Sequence, residues 1–208
     1  KGLNIPHSIY DNKSQERVYL KFLKKNEKFK FDAIGLSYVQ NHQLVNKMRL
    51  KSDKIITVSP NFAKQIIEIN NLQPEKMVLV PNTVRQSFYK EAIYSEEIKK
   101  KYSNKFVVLY LGDTHLRRGL LTAIRASELL SKKIVNFKLV IVGRNTTDHI
   151  LIEEVKRLHL ESYVDFEGWK DVSLFPSYII ASNVCISPLY RSIQHDVAYA
   201  NKIFQYMS

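Results

Sequence analysis

Residues 106–119 read FVVLYLGDTHLRRG, and the fold turns on this stretch. Six apolar and aromatic residues run without a break until Gly112 closes them. A short run of β-branched, aromatic and leucine residues is the pattern of a strand. A polar turn carrying Arg117 and Arg118 follows, and Gly119 opens a long segment of helical period. The unit is strand, glycine turn, helix. Such a turn lies at the carboxyl end of a parallel strand, where open α/β sheets bind ligands. The helix behind it points free N–H groups and its positive dipole end at the turn. Two guanidinium groups beside that end suit a phosphate or diphosphate. A plain strand-to-helix corner with solvated arginines has the same pattern, and a single such unit does not separate the two.

The pattern repeats downstream. A helix is predicted over 119–132, then a strand at 138–142 (KLVIV) ending at Gly143, then a helix over 148–159. A short strand, 163–166, ends at Glu167-Gly168-Trp169, a short helix covers 171–180, and a strand at 183–187 ends at Pro188. A last helix is predicted over 197–207. Strands alternating with helices mean βαβ units and a parallel sheet with right-handed crossovers.

Upstream the signals thin out. Segment 76–84 holds a buried strand, 77–80, closed by the turn pair Pro81-Asn82. Before it, 54–59 reads as a strand, and Ser59-Pro60 starts a helix with an N-cap and a first-turn proline. Residues 39–51 suggest an amphipathic helix with Val45, Met48 and Leu50 as core candidates, and 14–28 suggest another. Residues 85–104 are charged and read as a linker with a surface helix. The expected organisation is therefore a partial N-terminal segment and hinge over 1–84, a linker over 85–104, and a Rossmann-like domain over 105–208.

Bulk properties narrow the partners. The 208 residues are 45% hydrophobic, which suits a globular chain with a real core. No apolar run approaches the roughly 20 residues that span a bilayer. The chain begins KGLNIPHSIYDNK, without an initiator methionine or a signal sequence, and reads as a piece of a longer protein. Cys185 lies in an apolar run and reads as a buried thiol in a reducing compartment, so a cytoplasmic location is expected. The net charge of +12 attracts anions of many kinds. The lysines are scattered, with denser patches over 21–30 and 99–105, and no aromatic-interleaved pattern accompanies them. A nucleic-acid partner is therefore not expected, while a peripheral contact with an anionic inner membrane stays open. No His/Cys spacing suggests a metal site.

Seven stretches in order, IITVSPNFAKQII, KMVLVPNTV, VVLYLGDTHLRRGLLTAIRASELL, FKLVIVGRN, VDFEGW, NVCISPL and YANKIFQYMS, resemble the family-4 (group 1) GT-B glycosyltransferases. The resemblance spans roughly residues 40–208. It implies an α/β fold, a Rossmann-like parallel sheet flanked by helices that binds a nucleotide-diphosphate sugar, with a partial acceptor-side domain before it. It implies retaining sugar transfer to a glycan or lipid-linked acceptor, in bacterial envelope or polysaccharide synthesis, with no cofactor and no metal.

Site residues follow from the same resemblance. The family places an arginine just after the first glycine and a lysine before the next, both against the diphosphate. Arg118 stands at the lysine position, and Asp113 stands at the arginine position, a reversal of charge. Arg117 either replaces the missing cation or is solvated. Gly112 and Thr114 complete the donor loop. The family's paired glutamates map to Val197, which cannot bind a hydroxyl, and to Gln205, which can. Asp196, beside Val197, either contacts the sugar or caps the last helix. The N–H groups near Val197 are expected to open that helix toward a phosphate. Asn201 and Lys202 match a family Asn-Lys pair, with Lys202 reaching a phosphate, lining the cleft or forming a salt bridge. His195 is a candidate for donor or acceptor contact. Gly143-Arg144 and Gly168-Trp169 end neighbouring strands and should rim the base, although a lone tryptophan more often packs in a core. Leu189 and Tyr190 are candidates for lining the sugar pocket. Arg118, His195 and Asp196 are the candidate catalytic groups.

Overall fold

The computed structural model describes residues 42–197 and 199–208; the helix suggested over 14–28 lies outside them. Two compact units divide at Val80 and Pro81.

In the first unit, α1 (His42–Lys51) precedes β1 (Ile55–Thr57), α2 (Pro60–Asn70) and β2 (Met77–Leu79). The two strands pair in parallel, Ile55 opposite Met77. Ser59 caps α2, its side chain accepting from Phe62 N–H at 3.1 Å, and Pro60 occupies the first turn. Asn71 ends the helix in the left-handed region, φ 48°. Ile55 and Ile66 are buried. Val45 and Met48 are half-buried, but Leu50 is 57% exposed and does not join the core.

The second unit is built on a four-stranded parallel sheet. Its strands are β3 (Phe106–Leu111), β4 (Phe137–Val142), β5 (Val164–Gly168) and β6 (Val184–Cys185), in spatial order β5-β4-β3-β6. Alternate residues of β3 feed two cores. Val108 and Tyr110 pack with Leu120, Ile124 and Leu151 of α5 (Leu120–Leu130) and α6 (Asp148–Arg157). Val107, Leu109 and Leu111 pack on the other face with Tyr102 and Tyr178. Helices on both faces explain why the strands read as unbroken apolar runs.

Residues 85–104, expected as a linker, hold α3 (Gln86–Lys90) and α4 (Glu96–Tyr102) and fall within this second unit. Ser95 caps α4 through Ile98 N–H, Tyr102 is 3% exposed, and Ser95 N–H donates to Ser177 Oγ at 2.7 Å. The charged face that suggested a linker is the solvent face of a helix whose other face is pinned to the sheet.

Two helices differ from expectation. The segment 171–180 opens as a 3-10 turn over Val172–Leu174, after which α7 runs Phe175–Ile180. The last helix begins at Asn201, not Val197. A separate turn, α8 (Ile193–Asp196), precedes α9 (Asn201–Met207), because the Ser192 side chain accepts from His195 N–H at 3.2 Å and caps its own short helix. Among the described residues no helix is long and apolar enough to cross a membrane.

Candidate functional site

Strands β3, β4 and β5 step outward in one direction, and β6 returns to the other side of β3. Strand order therefore reverses between β3 and β6, and the crevice at their carboxyl ends is where such sheets hold ligands.

Glycines make this rim. Gly112 N–H donates to Val142 C=O at 2.8 Å, and Gly143 N–H donates to Gly168 C=O at 2.8 Å. A Cβ on Gly143 would stand 1.8 Å from Gly112 O, so the two strand ends touch backbone to backbone. Gly119 has φ 77°, and a Cβ there would stand 1.7 Å from Pro188 O. The corner after β3 is thus pressed against the loop after β6, closing one wall of the crevice.

Asp113 organises the corner. Its carboxylate accepts from His115 N–H at 3.1 Å, Asn145 Nδ2 at 2.7 Å and Arg118 Nε at 3.2 Å, with Arg117 at 3.9 Å. Burial alone would raise its pKa; the hydrogen bonds from His115, Asn145 and Arg118 outweigh this and hold it below the usual carboxylate range. Arg118 is thereby held at the loop, its side chain 25% exposed. Thr114 is fully buried, and its hydroxyl donates to Asp148 at the start of α6.

Lys202 reaches the same place from α9. Its Nζ lies 3.6 Å from the Tyr110 ring centroid. A Cβ on Gly112 would stand 3.5 Å from its Cε and Nζ. That Nζ is buried and meets no hydrogen-bond acceptor among the described residues. Burial, and then the charge of Arg118, push its pKa down to about 7, with Asp113 pulling the other way. Of the expected uses of Lys202, the salt bridge is not made among the described residues. Tyr206, one turn further along α9, anchors the helix: its hydroxyl accepts from Leu111 N–H at 2.9 Å and donates to Ile186 C=O at 3.2 Å. Gln205 shares that side of α9 by spacing and is half-buried.

The remaining candidates divide. His195 Nδ1 donates to the Tyr190 carbonyl oxygen at 2.7 Å, while its Nε2 is buried and meets no partner among the described residues. Asp196 pairs with Arg191 at 3.1 Å; it ends α8 and does not cap α9, whose cap position is Ala200. Val197 is 5% exposed and packed inward. Asn201 is exposed at the first residue of α9. Arg144 is exposed, and Trp169 is 69% exposed at the end of the outer strand, so it does not tuck into the core. Leu189 lines an open apolar cleft of about 1050 Å³ with Pro81, Asn82, Tyr199, Ile203 and Phe204.

Two organising residues were not singled out from sequence. Asn145, inside the quoted GRN run, braces Asp113. Tyr206 reads as an ordinary apolar helix position, and its hydroxyl role depends on β3 and β6 meeting.

A parallel sheet flanked by helices, with a basic crevice where its strand order reverses, defines the class as a Rossmann-like α/β domain. Residues 94–195, just under half of the chain, match the family model Glycosyl transferases group 1. Similar solved structures include HepE from Anabaena in complex with UDP, 17% identical over 83% of this chain and 48% of that one, TM-score 0.65. Sucrose-phosphate synthase from Thermosynechococcus elongatus is 19% identical over 82% and 44%, TM-score 0.62. WaaG, a glycosyltransferase involved in lipopolysaccharide biosynthesis, is 17% identical over 84% and 48%, TM-score 0.60. At these identities the likeness is one of fold, that of the GT-B glycosyltransferases. The chain spans about half the length of these solved proteins. No curated protein sequence matches it.

Proposed function

We propose that this chain belongs to a retaining glycosyltransferase that moves a sugar from a nucleoside-diphosphate donor to a glycan or lipid-linked acceptor in bacterial envelope or polysaccharide synthesis. The observation that carries the reading is Arg118, held by Asp113 over the glycine turn at the switch point. A guanidinium fixed there meets a diphosphate with little reorganisation as charge grows on the leaving group. The UDP bound by HepE and the lipopolysaccharide role of WaaG support the donor class and the setting.

In this reading Gly112 and Thr114 shape the donor loop and Arg117 adds a flanking charge. Gln205 takes the ribose hydroxyls, Asn201 lines the helix start, and Gly143-Arg144 and Gly168-Trp169 rim the base. His195 and Asp196 approach the sugar from the loop after β6. Catalysis is positioning plus leaving-group stabilisation, without a protein nucleophile. The work takes place in the cytoplasm, with the basic surface resting on the inner membrane. A second reading, a nucleotide-sugar-binding module without turnover, draws on the inward-packed Val197 where a carboxylate is expected.

Arg118→Ala should weaken nucleoside-diphosphate binding by roughly 1.5–3 kcal/mol, the range for a charge-assisted hydrogen bond, and leave binding of the nucleoside unchanged. Calorimetry with both ligands checks this; equal losses for the two would refute the phosphate role. Donor hydrolysis by the full-length protein separates transferase from binding module.

A further inference from the structure

We propose that Lys202, carried on α9, supplies the second cation of the diphosphate clamp, and that it takes up a proton from solvent as the diphosphate enters. The proposal rests on the donor reading above and adds a residue and a proton to it. Its basis is the contrast between two cations at one glycine turn. Arg118 already has an anion, Asp113. Lys202 has none among the described residues: its Nζ lies over the face of the Tyr110 ring, at van der Waals distance from where a Cβ on Gly112 would stand, with its N–H donors unspent.

A buried ammonium without acceptors costs free energy that only an arriving anion or loss of its proton removes. The groups facing it are Tyr110 from β3, and Asp113 and Arg118 from the corner, with Arg117 behind Asp113. None of these gives it a hydrogen bond. In the free protein the side chain sits near half-protonation at neutral pH, since burial and Arg118 bring its pKa to about 7. Charge balance agrees. Arg117, Arg118 and Asp113 sum to one positive charge. A protonated Lys202 makes it two, matching the two negative charges of a diphosphate diester. The step is simple: the neutral amine and one proton from buffer give the ammonium, and its N–H groups then donate to the phosphate oxygens. Gly112 matters here because any side chain would occupy the space between amine and ligand.

The test is calorimetry of UDP binding to the full-length chain at pH 8, in buffers of different ionisation enthalpy. At that pH the terminal phosphate of UDP, which titrates near about 6, is already ionised. Wild type should take up close to one proton, and its affinity should fall about tenfold per pH unit from pH 8 to 9. Lys202→Met should bind about 10- to 100-fold more weakly at pH 7, with no proton uptake and a flat pH profile. Lys202→Arg should bind within a few-fold of wild type, also without uptake. Unchanged UDP affinity in Lys202→Met, or wild-type binding without proton uptake, overturns the proposal while leaving the donor reading intact. Failure of the folded wild type to bind UDP, ADP or GDP overturns both.

Discussion

Glu167 at the end of β5 and Lys202 at the crevice between β3 and β6 are both charged groups buried beside tyrosines. The protein treats them in opposite ways. Glu167 is fully served: Lys101, Tyr102 and Tyr178 all donate to its oxygens. Burial would raise its pKa, yet those donors hold it at about 2. It is a rivet, joining α4 and α7 to the edge strand. Lys202 is left unserved among the described residues. The fold meets the desolvation cost of a charge with partners where the charge is structural, and leaves it unmet where a ligand is to supply the partner. A buried charge alone is therefore a poor marker of function; a buried charge without partners, at a strand-order reversal, is a good one.

The two regions also differ in how tightly their glycines are held, and the largest expected effect lies there. Gly119 and Gly168 both have positive φ, 77° and 68°, but only Gly119 has backbone where a Cβ would go. Gly119→Ala should destabilise the domain by about 3–4 kcal/mol, strain plus overpacking. Gly168→Ala should cost only about 1–2 kcal/mol, the strain alone. Urea unfolding of the pair checks it, and equal losses would mean the crevice wall is not built as described.

Next in size is Glu167→Ala. It strands the Tyr178 hydroxyl, leaves Tyr102 only its longer bond to Asp165 at 3.3 Å, and should cost about 2–3 kcal/mol of stability, with nucleotide binding unchanged. A loss of UDP affinity matching the loss at Lys202 would erase the distinction between rivet and site.

The smallest effect runs the other way. Lys202 titrates at about 7 in the folded protein against an ordinary 10.5. The unfolded chain therefore binds more protons between those values, and the stability of the ligand-free protein should rise with pH across that window. Lys202→Met removes the penalty and should stabilise the free protein by about 1–2 kcal/mol at pH 7, with no further gain toward pH 10. Thermal melts at both pH values test this, and a destabilised variant would show that Lys202 is structural.

Much of this molecule is legible from its residues alone. The alternation from residue 106 onward, the strand-ending glycines Gly112, Gly143 and Gly168, and the Ser59-Pro60 helix start all rest on neighbours within a few positions, and the strands pair in parallel as that alternation requires. Residues 85–104 read as a linker with a surface helix because a lysine-rich solvent face hides one inward tyrosine, Tyr102. The last helix starts at Asn201 and not at Val197 because Ser192 caps a separate short turn that ends at Asp196.

Side-chain partnership could not be read this way. Whether Asp113 repels a diphosphate or steadies Arg118 depends on Asn145, 32 positions away. Whether Lys202 is solvated, paired or left waiting depends on Tyr110 and Gly112, about ninety positions earlier. Local pattern settles which segments are strands and helices, because hydrogen bonding and apolar periodicity act between near neighbours. The state of a charge is settled by what surrounds it in space, and here that surrounding exists only once α9 has closed over the ends of β3 and β6.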